Sequence, residues 1–92
     1  MTGEGIFYAA QAAFSYRGGS ITQWAQASNK AAYETVASTL ASHSADDDDD
    51  ACAAVVPSLA AAIPGGISGD WSGITGLERV GVLLVVQAYR RA

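Results

Sequence analysis

The sequence holds a single cysteine, Cys52, a single histidine, His43, and only two prolines, Pro57 and Pro64. One cysteine excludes an internal disulfide framework, so packing must hold the fold, and such a chain suits a reducing compartment. One cysteine and one histidine cannot complete a tetrahedral zinc set. Charge is scarce as well, with charged residues at 15% of the chain against roughly 25% in ordinary soluble domains. The basic residues Arg17, Lys30, Arg79, Arg90 and Arg91 are scattered. A phosphate-binding surface needs them gathered into a stripe, so no nucleic-acid partner is expected. The longest strongly apolar run, Val80 to Val86, is far short of the roughly 20 residues a helix needs to cross a bilayer, and no membrane span is expected. The chain does not open on a charged segment followed by an apolar one. The reading is therefore a cytoplasmic protein without a secretory signal.

What is present is hydrophobic material in a short chain. Its 92 residues are half hydrophobic, enough for one domain, 1–92, and too few for a second core. Much of that fraction is alanine, which forms helices readily but fills little volume. A domain of this size buries only about 60% of the surface its unfolded chain exposes, so each large apolar side chain matters. The net charge is -4, and five of the nine acidic residues form one run, Asp46, Asp47, Asp48, Asp49 and Asp50.

Periodicity predicts four helices. Thr2 caps the first, with Ile6, Ala10, Ala13 and Arg17 on one face, and Gly18 and Gly19 end it. Ser20 and Gln23 have capping-box spacing. They open a second helix, reaching about Ser42, in which Trp24, Ala25, Ala32, Val36 and Leu40 form the apolar side. Lys30 and Glu34, four residues apart, are placed to pair on its exposed side. The stretch 43–50 reads as a solvated acidic loop whose last aspartates also cap the next helix. That third helix, from about Ala51 to Ile63, contains Pro57, where a missing amide and a ring clash predict a kink or break. Pro64, Gly65 and Gly66 stop it, and Ile67 to Gly73 is too rich in glycine and serine for regular structure. Trp71 in that loop is expected to fold back as a lid on the core.

Thr75 and Glu78 repeat the capping-box spacing directly before an apolar run, marking the start of the last helix. Leu77, Val80, Val82, Leu83, Leu84, Val85, Val86 and Tyr89 cover nearly its whole circumference, which predicts burial on all sides. A buried strand fits the same run, but no other segment alternates with period two to pair with it, and helix is preferred. The predicted fold is all-α: a compact four-helix bundle with a central apolar C-terminal helix and a Pro-bent third helix.

No catalytic, cofactor or metal set emerges. If the aspartate run opened a calcium loop, glycine and glutamate should fall where Ala51 and Pro57 stand. Cys52 and His43 are one of each type, separated by the aspartates, and the simpler reading of Cys52 is a small buried apolar residue. The glycines from Gly65 to Gly76 match no phosphate loop. What remains is an excess of aromatic surface. Three alanine-rich helices leave little large side-chain material to cover Phe7, Tyr8, Tyr16, Trp24 and Tyr33, so some of these should be exposed, and exposed aromatics mark contact surfaces. The competing reading is that they complete the core of the monomer. The functional expectation is a non-enzymatic protein interaction module, including a self-associating subunit of an assembly. Two alternatives are a small-ligand binder or enzyme subunit with a pocket lined by Trp24, Tyr33 and Trp71, and a small acidic regulator acting through Asp46 to Asp50.

Overall fold

The computed structural model describes residues 25, 30–62 and 67–91. Those residues form three α-helices and one 3-10 turn, with no strand among them: α1 (Lys30–Leu40), α2 (Asp48–Ala62), the turn Trp71–Gly73 and α3 (Gly76–Arg90). The all-α class is as expected. The expected first helix, the Ser20 and Gln23 box and the stop at Pro64 to Gly66 lie outside the described residues.

Each helix is placed by a stripe of small or β-branched apolar residues. On α2 the stripe is Ala51, Cys52, Val55, Val56 and Leu59, all buried, with the one- and four-residue steps that keep side chains on one face. It meets Ala32 and Val36 of α1, Val82, Val85 and Val86 of α3, and Trp71 and Ile74 from the segment between α2 and α3. All three helices pack against one another. The largest fully buried side chains are Leu59, Ile74 and six valines. Burying each of these contributes about 1.5–3 kcal/mol before ordering costs.

α1 ends at Leu40, followed by a turn at 41–42, close to the expected end. Lys30 and Glu34 are both exposed, but they are not among the ion pairs of the described residues. An exposed pair with lysine first has little to gain against the entropy of two long side chains.

α2 starts three residues earlier than expected, at Asp48, because Asp47 caps it. Asp47 Oδ1 accepts a hydrogen bond from the Asp50 amide at 2.8 Å, and its carbonyl accepts one from Ala51 N at 3.1 Å. The helix continues through Pro57 without a break. Pro57 and Ala53, whose carbonyl loses its amide partner there, are both exposed. Water can satisfy that carbonyl, and on an exposed face it is free to tilt outward, away from the ring.

The stretch Ile67 to Gly73 is more ordered than its composition suggests. Asp70 accepts from the Ser72 amide at 3.2 Å and the Ser72 hydroxyl at 2.9 Å. The Gly73 amide donates to Asp70 O at 2.9 Å, closing the 3-10 turn that carries Trp71.

α3 is a helix, and no residue from Leu77 to Tyr89 is exposed. Gly81, Val82, Val85, Val86 and Ala88 are buried and the others are half-buried, so the expected burial on all sides is not met: Leu77, Val80, Leu83, Leu84 and Tyr89 lie on flanks that the other two helices cover only in part. Thr75 stands at its N-cap as the box predicts, but its hydroxyl makes no capping bond. Gly76 follows it with φ of 64°, a left-handed turn that removes the regular geometry a cap needs. Thr75→Ala should therefore cost only a few tenths of a kcal/mol, below the ~1 kcal/mol of a working cap. Gly76→Ala should cost about 1 kcal/mol through its backbone. Thermal unfolding of the two variants checks the order.

Candidate functional site

The aspartate run is the largest departure from the sequence reading. Asp48, Asp49 and Asp50 belong to the first turn of α2 rather than to an acidic loop, where their charge complements the positive end of the helix. Two of them are tied to other parts of the chain. Asp48 accepts from Arg90 Nη1 at 2.8 Å, Gln87 Nε2 at 3.1 Å and Arg91 Nη2 at 3.4 Å. Arg90 also donates to the Ala45 carbonyl at 3.4 Å. The Asp48 and Arg90 side chains are only 28% and 26% exposed, so this pair sits where water screens it least. Cations at the end of α3 thereby offset the mutual repulsion of the aspartates. Asp46, Asp47, Asp49 and Asp50 remain exposed.

Asp49 joins a second cluster. Its Oδ1 accepts from the Trp71 indole N–H at 2.8 Å and lies 3.7 Å from Arg79 Nη2. The Arg79 guanidinium stacks on the Trp71 ring, 3.9 Å from its centroid, and donates to the carbonyls of Trp71 and Ile74 at 3.3 and 3.4 Å. Trp71 is 8% exposed. It is the expected lid, held by a carboxylate from α2 and a cation from α3. The stack contributes about 0.5–1 kcal/mol at such a partly open site.

Of the five aromatics expected at a contact surface, Tyr33 is placed; Phe7, Tyr8, Tyr16 and Trp24 lie outside the described residues. Tyr33 is half-buried on α1, and its ring centroid is 6.2 Å from that of Tyr89 on α3, tilted by 49°. Tyr33, Ala37 and Leu40 follow at four- and three-residue steps, and all three are half-buried. With Leu83 and Tyr89, Tyr33 and Leu40 pack against the edge of the core while remaining partly open. Sequence reasoning misses Tyr89 as a surface residue, because it closes an apolar run that points inward.

The chemistry-bearing pair does not form. Cys52 is fully buried in the core and His43 is exposed in the turn region after α1. Burial, helped by the negative charge of Asp48 and Asp49, pushes the Cys52 thiol from 9.0 up to about 12. At neutral pH it is a protonated, inert apolar filler. A thiol that holds its proton more tightly when folded adds stability in full below the unfolded value and loses it as pH rises through the window from 9.0 to about 12. Wild type should therefore lose more stability than Cys52→Ala between about pH 8 and about pH 10, by up to about 1.4 kcal/mol per pH unit. Urea midpoints of the two proteins measure the difference. Ellman's reagent should react with the native thiol only as fast as the chain unfolds.

Of the expected pocket of Trp24, Tyr33 and Trp71, Trp24 lies outside the described residues, while Trp71 stacks under Arg79 and Tyr33 lies against Tyr89. An open groove of about 450 Å³ lies between α1 and α2, lined by Ala31, Glu34, Thr35, Ser38, Thr39 and Ser58. The Thr35 and Thr39 hydroxyls donate within their own helix, to Ala31 O and Thr35 O, each at 2.9 Å. Among the described residues no group of three or more His, Cys, Asp or Glu side chains is placed to hold a metal ion. No helix among them is long and apolar enough to cross a membrane. No family model, curated protein or solved structure matches the chain.

Proposed function

We propose that this chain acts without catalysis, as a helical protein–protein interaction module that associates with copies of itself in a larger assembly. The observation that carries the reading is that Tyr33, Leu40, Leu83 and Tyr89 each pack against the core yet stay partly open to solvent, with the two tyrosine rings side by side. Tyrosines with one face on a core and one toward water suit an interface, because they bring large contact area at low entropic cost. The four-helix bundle is part of the same proposal, with Phe7, Tyr8, Tyr16 and Trp24 extending the contact surface. So is a cytoplasmic setting, which matches a lone thiol used as filler. The reading of the acidic run as a docking element is weakened, since Asp48 and Asp49 are engaged within the chain.

Light scattering over a wide concentration range tests the proposal. Wild type should gain mass with concentration. Tyr33→Ser should shift that gain to higher concentration while retaining its helical circular dichroism. A strict monomer at the highest concentration, together with no specific partner in pulldowns from the native host, would overturn it.

A further inference from the structure

We draw no further inference here: the strongest candidate, the open polar groove between α1 and α2 lined by Glu34, Thr35, Ser38, Thr39 and Ser58, carries a single exposed carboxylate and threonine hydroxyls already bonded within their own helix, and nothing in the structure shows what covers it.

Discussion

Trp71→Ala should remove about 3–5 kcal/mol of folding stability, the range for deleting a large buried aromatic, and is the most damaging single change expected here. Three losses coincide. The indole leaves a cavity in a core that, Leu59 and Ile74 apart, is built mainly from alanine and valine. Arg79 loses the ring on which it stacks, and Asp49 loses the N–H it accepts from. The 3-10 turn then has no buried anchor, since Trp71 is its only buried residue. Small domains have only about 5–15 kcal/mol in total, so the variant should be partly unfolded at moderate temperature. Trp71→Phe separates these effects. It keeps most of the buried area and gives up the indole hydrogen bond, for which a loss of about 1–1.5 kcal/mol is expected. Urea unfolding followed by circular dichroism compares both variants with wild type. Equal losses would mean that the hydrogen bond to Asp49, rather than packing, holds the lid.

Asp48→Ala should cost about 2–3 kcal/mol, because one half-buried carboxylate serves Gln87, Arg90 and Arg91 together and its removal takes the acceptor from the Gln87 amide and from Arg90 Nη1. Asp48→Asn retains one acceptor oxygen and should lose about half as much. Arg91 is 62% exposed and 3.4 Å from Asp48, so Arg91→Ala should change stability by under about 0.5 kcal/mol. Arg90→Ala should approach the Asp48→Ala value. The same unfolding curves give the ranking Asp48→Ala, Arg90→Ala, Arg91→Ala. An equal small effect for all three would place the carboxylate in effectively bulk solvent.

The parts of the fold that are legible in the sequence are those with local causes. The stripe of α1, the start of α3 at Thr75 and the inward turn of Trp71 all follow from side-chain spacing or from the area of one residue. The departures come from contacts that no window of sequence contains. Arg90 meets Asp48 across 42 residues of chain and Trp71 meets Asp49 across 22. Without those partners, five consecutive aspartates can only be read as a self-repelling solvated loop. Pro57 is legible as a defect, but its exposure, which decides whether the defect ends the helix, is not. Tyr33 is legible as an aromatic in excess of the core, while its partner Tyr89 is hidden at the end of an inward-facing run. The turn at Trp71 depends on Asp70 and Ser72, whose caps are local, so Asp-Trp-Ser-Gly carries a signal that could have found it.

Whether the acidic run is internal structure is tested most directly by the unfolding stability of two neutralised proteins. Replacing both Asp48 and Asp49 with asparagine should lower stability by about 1–2 kcal/mol, most of it from Asp48. Replacing the exposed Asp46 and Asp50 in the same way should leave it within about 0.5 kcal/mol of wild type. If the two pairs behave alike, or if the first is the more stable, the carboxylates of α2 do not clasp α3.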